Sequence, residues 1–233
     1  MRSIAKLMKD WQFTGPNGVT TAVELPHTWN ARDGQDGGND YWRGCCTYCT
    51  RFAAPVYDPA QQQVWLQFEG VNASAAVLLN GQQLCTHDGG YSTFRAEVTE
   101  LLQAENQLTV RVDNSVNDRV YPQKADFTFY GGIYRDVSLL VVNKNHIALG
   151  HFGDTGVKIT PTLKEGSADI RVETLVEGSG TVTVELLDAE GRTAAKGEGE
   201  NTFLHLDAPH LWNGVKDPYL YTCLLYTSDA ADE

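Results

Sequence analysis

Apolar residues along this chain recur at every second position or in short unbroken runs. Such segments occupy Val64 to Phe68, Ala75 to Leu79, Leu108 to Val112, Val137 to Val142, Ile170 to Val176 and Val182 to Leu187. A period of two places successive side chains on opposite faces, so each segment predicts a strand. Turn-forming residues separate them. Asn80-Gly81, between Val77-Leu78-Leu79 and Leu84, is the strongest hairpin signal, because both residues tolerate the positive φ that a tight hairpin turn needs. The one helical candidate is a turn near Val98 to Leu102. Many short strands at close intervals predict an all-β chain of two sandwiches, a jelly-roll-like one followed by an immunoglobulin-like one.

The division is expected near Val142 to His146, where the apolar run VSLLVV gives way to the polar NKNH. Residues 1–143 then form the first domain and 144–222 the second, with turn clusters at Lys164 to Ser167, Glu177 to Gly180 and Glu190 to Arg192. Trp212 and Tyr221 are expected to anchor the second core, since large aromatics dominate sandwich interiors.

Composition narrows the function classes. The 233 residues are 42% hydrophobic and 21% charged, an ordinary globular balance of one or two domains. The formal charge of −12 disfavours nucleic acid and anionic membrane as partners. The first dozen residues are too polar for a secretory signal, and no run approaches the roughly 18 apolar residues of a membrane span. A cytoplasmic location is therefore expected. Among five cysteines, Cys46 and Cys49 stand in CxxC spacing, open to a redox or zinc reading, but no second ligand pair accompanies them. Buried, reduced thiols are the expected alternative.

The segment DFTFYGGIYRDV, Asp126 to Val137, fits no ordinary core strand. Its glycines, Gly131 and Gly132, permit backbone approach that a side chain would forbid. Two readings follow: a bulged strand in which Arg135 and Asp136 pair with each other or with a neighbouring loop, or an acid, Asp126, pointing into a cleft. The loop from Arg32 to Gly44 carries Asp33, Asp36 and Asp40 but lacks the spacing and closing glutamate of an EF-hand. It reads as a solvated turn, or as the edge of a site. His27 is expected to be a hydrogen-bonded packing residue, and His87 and Asp88 to be turn residues. No zinc-protease, P-loop or dinucleotide motif is present.

PHTWN (Pro26 to Asn30), YWRG (Tyr41 to Gly44), GGYSTF (Gly89 to Phe94), LTVRVDN (Leu108 to Asn114) and the glycine-pair segment, in this order, resemble glycoside hydrolase family 2. The resemblance covers roughly residues 8 to 143, the amino-terminal sugar-binding domain of that family. A further match, LWNGVKDPYLYT (Leu211 to Thr222), is similar to the closing region of the immunoglobulin-like domain that follows.

The resemblance implies a retaining glycosidase whose two catalytic carboxyl groups stand about 5 Å apart on a (β/α) barrel. That barrel follows the second sandwich, so no catalytic residue is assigned here and this part alone is expected to be inactive; Glu97 and Glu100 are not substitutes. The wording after Asp126 favours β-galactosidase over glucuronidase or mannosidase. Asp126 matches the acid that reaches the sugar and helps hold a sodium ion, making it a substrate-binding and metal candidate, while Tyr41, Trp42, Phe129 and Tyr130 are the aromatics expected against sugar. Sodium and magnesium are the ions implied for the full-length enzyme. The implied partners are a β-galactoside-like carbohydrate, the missing barrel and further copies in a homo-oligomer. The alternative is a free-standing carbohydrate-binding protein. The last eleven residues, Cys223 to Glu233, are expected to break the alternation begun by Tyr219, Leu220 and Tyr221; they resemble the translation of a sequencing adapter and are expected to be foreign.

Overall fold

A computed structural model describes residues 2–31, 41–121 and 128–228. The chain divides into two compact units, Met1–Asn143 with His151–Gly153, and Lys144–Gly150 with Asp154–Glu233. Both are built from strands, the jelly-roll-like and immunoglobulin-like sandwiches predicted by the alternation.

The first unit contains β1 (Ser3–Lys6), β2 (Trp11–Thr14), β3 (Thr20–Val23), β4 (Cys45–Ala53), β5 (Gln62–Phe68), β6 (Val71–Asn72), β7 (Ser74–Leu79), β8 (Gln82–Asp88), β9 (Phe94–Glu97), β10 (Glu105–Asp113), β11 (Gly132–Ile133) and β12 (Val137–Asn143). Six of them form one antiparallel sheet in the order β3-β2-β4-β10-β7-β8, and four form the opposing sheet β1-β12-β5-β9. Trp11, Tyr48, Val64, Leu66, Phe68, Val77, Phe94, Val110 and Val137 are buried in one core. Each fully buried side chain of this size stabilises the fold by about 1.5–3 kcal/mol. The Asn80-Gly81 turn joins β7 to β8 with φ of 52° and 83°, the two positive values of a type I′ hairpin. The predicted helical turn is a single 3₁₀ turn, Thr99–Leu101.

The second unit contains β13 (His146–Ile147), β14 (Val157–Lys164), β15 (Ser167–Thr174), β16 (Val176–Glu177), β17 (Thr181–Leu187), β18 (Thr193–Glu198), β19 (Asn201–Asp207) and β20 (Thr222–Ser228). Sheets β14-β15-β19 and β18-β17-β20 enclose a core of Ile170, Val172, Val182, Val184, Leu186, Leu204 and Leu206.

Three expectations are corrected by this geometry. Trp212 is not a core anchor: it is 64% exposed, with its neighbours Leu211 and Val215 also outward. It lies between β19 and β20, where no strand register turns alternate side chains inward; Tyr221 does pack against the core. His87 and Asp88 are not turn residues but the end of β8, and His87 is buried against Phe94 with ring centroids 4.3 Å apart. The alternation begun by Tyr219, Leu220 and Tyr221 runs on through β20, which packs Cys223 and Leu225 inward and leaves Leu224 and Tyr226 exposed. A free strand edge asks of its partner only backbone amides and alternating polarity.

Candidate functional site

The glycine pair is where two separate sequence motifs meet. Gly132 takes φ +140° in β11, and a Cβ there would overlap the His27 carbonyl; a Cβ on Gly131 would overlap the Trp29 ring. The PHTWN segment runs directly alongside. His27 N donates to Ile133 O at 2.8 Å, Thr28 Oγ1 to Gly131 O at 2.8 Å, and Trp29 N to Gly131 O at 3.3 Å. Of the two readings of the Asp126 segment, the broken strand is visible: β11 pairs only with β6, and β12 begins five residues after Gly132. Arg135 and Asp136 do not pair with each other. Asp136 binds Lys6 at 2.6 Å, and Arg135 donates to Tyr91 O at 3.3 Å and lies over the Tyr134 ring.

Three buried asparagines brace this region, and sequence reasoning missed their role. Asn30 and Asn114 are 0% and 3% exposed. Asn30 Oδ1 accepts from Gly131 N at 2.8 Å and from Asn114 Nδ2 at 3.1 Å, while Asn30 Nδ2 donates to Trp42 O at 2.9 Å. Asn114 Oδ1 accepts from Gly44 N at 2.9 Å, and Asn114 Nδ2 also reaches Phe129 O at 3.3 Å. Asn72 Nδ2 donates to Tyr130 O at 2.8 Å. Buried amides satisfied in this way fix backbone position strongly, because the alternative is an unpaired polar group. The signal was present in the motifs: Asn30 closes PHTWN and Asn114 closes LTVRVDN.

The braces fix the backbone of three of the four predicted aromatics, holding the carbonyls of Trp42, Phe129 and Tyr130. Trp42, 36% exposed, meets Trp29 edge to face at 6.0 Å. Phe129 is buried and Tyr130 is 40% exposed. Tyr41 and Phe129 are joined by a residue not singled out from sequence, Arg43, whose guanidinium carbon lies 4.8 Å and 5.2 Å from the two ring centroids. Arg43 also donates to the Tyr41 hydroxyl. With Asn72, Tyr91, Asn114, Tyr121 and Phe129, Arg43 lines a small cleft of about 20 Å³. Asp126 and the acids Asp33, Asp36 and Asp40 lie outside the described residues.

Titratable groups nearby are held neutral by burial. His27 lies below its ordinary range through loss of solvation and is hydrogen-bonded to the Tyr48 hydroxyl at 2.7 Å. Burial raises the Tyr48 phenol likewise. His27 is thus the packing residue its surroundings predicted. Cys46 and Cys49 point to opposite faces of β4, Cys46 inward and pushed up to about 12 by burial. A strand spacing of three cannot aim both sulfurs at one ion. Among the described residues no group of three His, Cys, Asp or Glu side chains could hold a metal.

The model of the glycosyl hydrolase 2 galactose-binding domain-like family matches residues 39–163, more than half the chain, and that of glycosyl hydrolases family 2 matches 151–233. The chain belongs to glycoside hydrolase family 2. Among relatives of this family, a β-glucuronidase from Bacteroides fragilis is 32% identical over 92% of this chain and 34% of its own length. A β-galactosidase from Thermoanaerobacterium thermosulfurigenes is 31% identical over 90% of this chain and 28% of its own. The structure of an FMN-binding β-glucuronidase from Facaelibacterium prausnitzii L2-6 superposes with a TM-score of 0.90 at 34% identity, covering 98% of this chain and 37% of that one. The chain thus spans about a third of the length of the family 2 glycosidases it matches. No helix among the described residues is long and apolar enough to cross a membrane.

Proposed function

We propose that the chain is the non-catalytic amino-terminal part of a retaining β-glycosidase that hydrolyses terminal β-linked sugars, and that it has no hydrolase activity alone. One observation carries this reading: two family 2 models match in succession, yet the chain spans a third of its relatives. The braced aromatic end of the first unit supports it. Trp42 and Tyr130 are partly exposed on backbone that Asn30 and Asn72 fix, and a rigid aromatic complements the C–H side of a pyranose at small entropic cost. In this account Asp126 accepts hydrogen bonds from sugar hydroxyls and contributes one ligand to a sodium ion completed by the barrel, with magnesium elsewhere in the full-length enzyme.

The glycine-pair wording favours a β-galactoside. A β-glucuronide is the second reading, favoured by the Bacteroides fragilis relative, which matches nearly the whole chain. Residues 223–233 are read as translated adapter sequence, on the match of all eleven residues, although the family 2 model extends over them; the pairing of 223–228 with β17 asks nothing that an alternating peptide would lack. The test is Asp126→Asn in the parent enzyme. A fall in kcat/KM of roughly tenfold or more with galactoside or glucuronide, at unchanged melting temperature, is expected; an unchanged kcat/KM removes Asp126 from the site.

A further inference from the structure

Arg43 is the one side chain of the candidate site whose chemistry the sugar-stacking account leaves unused. Its neighbours on both sides are pinned: Asn30 holds the Trp42 carbonyl and Asn114 the Gly44 amide. The guanidinium lies against the rings of Tyr41 and Phe129, and one terminal nitrogen donates to the Tyr41 hydroxyl. No carboxylate pairs with it among the described residues, although Lys6, Arg119, Arg171 and Arg192 all have one. A guanidinium carries five N–H donors in a planar fork and keeps its charge at any physiological pH. Among the described residues only the Tyr41 hydroxyl takes one of those donors where Arg43 lines the cleft.

The cleft is narrow. Its volume of about 20 Å³ accepts one oxygen-sized group. Asn72 and Asn114 form part of its wall, and Tyr91 and Tyr121, 51% and 73% exposed, stand at its mouth. A planar oxyanion can place one oxygen inside, against the fork, while the group bearing it rests on the exposed rings. Stacking on two aromatics keeps the cation in place and weakly hydrated, which lowers the cost of exchanging water for an anion.

We propose that Arg43 is an oxyanion-binding residue that selects for the carboxylate of an acidic sugar at this end of the first unit. The inference rests on the β-glucuronide reading above and deepens it: Arg43, rather than the aromatic faces, separates acidic from neutral glycans. The shared chemistry is a planar or tetrahedral oxyanion, so carboxylate and sulfate must be told apart by experiment.

The test uses the full 233-residue chain and nuclear magnetic resonance. The Arg43 Nε–H signal is followed during titration with methyl β-D-glucuronide, methyl β-D-galactoside and inorganic sulfate. The proposal expects a saturating shift with the glucuronide in the millimolar range and none with the galactoside. Arg43→Gln, read through the Phe129 and Tyr121 amides, should weaken glucuronide binding by roughly tenfold or more, and Arg43→Lys by less; a dispersed spectrum for either variant shows that it has folded. An Arg43 signal unmoved by glucuronide overturns the proposal. The carbohydrate reading is scored separately, by whether the Trp42 indole N–H responds to the neutral galactoside. Sulfate binding as tight as glucuronide overturns the assignment to a sugar acid.

Discussion

Asn114 Nδ2 donates to Asn30 Oδ1 at 3.1 Å across 84 positions of sequence, and neither side chain is more than 3% exposed. Through this one contact the end of β10, the PHTWN segment, the Trp42–Gly44 backbone and the glycine pair become one braced body. The aromatic end of the first unit owes its shape to these amides, because Tyr41, Trp42, Phe129 and Tyr130 lie in segments without long strands.

Asn30→Ala should therefore destabilise the first unit by roughly 2–4 kcal/mol, since it strands the Gly131 amide and the Trp42 carbonyl in a buried setting. Urea unfolding followed by near-ultraviolet circular dichroism measures the loss. Hydrogen exchange at the Gly131 amide should accelerate in the same variant.

Gly132→Ala should be worse than Gly131→Ala. The first substitution meets a backbone carbonyl, that of His27, at φ +140°; the second meets side chains, the Trp29 ring and the Asn114 amide nitrogen, rather than backbone. The expected result is loss of soluble protein for Gly132→Ala, with a folded but lower-melting Gly131→Ala, measured by soluble yield and thermal melt.

Much of this was legible in the sequence. The six alternating or continuous apolar runs all became strands, and Asn80-Gly81 became the hairpin turn, because local pattern and turn chemistry agree with the fold there. What was not legible depends on contacts between distant segments. Asn30 and Asn114 read as ordinary polar residues until the chain brings them together, and Arg43 is marked only by the rings that flank it in space. Trp212 misled for the converse reason: an aromatic is buried by register, and its segment has none. His87 and Asp88 looked like turn residues because Gly89-Gly90 follows, yet the strand extends up to the glycines.

Acid should weaken the first unit. Burial lowers the pKa of His27 and His87 in the folded state, so the unfolded chain binds protons that the folded chain refuses. Their contribution is whole above the unfolded value of about 6.5 and is lost as pH falls below it, at no more than about 1.4 kcal/mol per pH unit for each. In the second unit the sign reverses. His205 is raised chiefly by its hydrogen bond to Asp169, so that pairing is present below about pH 6.5 and lost as pH rises through its folded pKa. Thermal melts of the chain between about pH 5.5 and 7.5 should show the first unit gaining stability with pH, and His87→Leu should flatten that slope.

The thiols should divide by burial. Cys46 and Cys85, pushed up to about 12 and about 11, are expected to stay unreactive toward a disulfide reagent near pH 8 while the chain is folded. All five free cysteines should react in denaturant. Added zinc should leave the native reaction rates unchanged, as Cys46 and Cys49 face opposite sides of β4.

The most direct test is to read the parent gene across codon 222 and onward, and to assay the encoded protein on β-galactoside and β-glucuronide. The account predicts different sequence after Thr222, an open frame roughly three times the present length, as the relatives' lengths imply, and hydrolysis with retained configuration. A stop codon directly after residue 233, with sugar binding but no hydrolysis, would contradict it and make the chain a free-standing carbohydrate-binding protein.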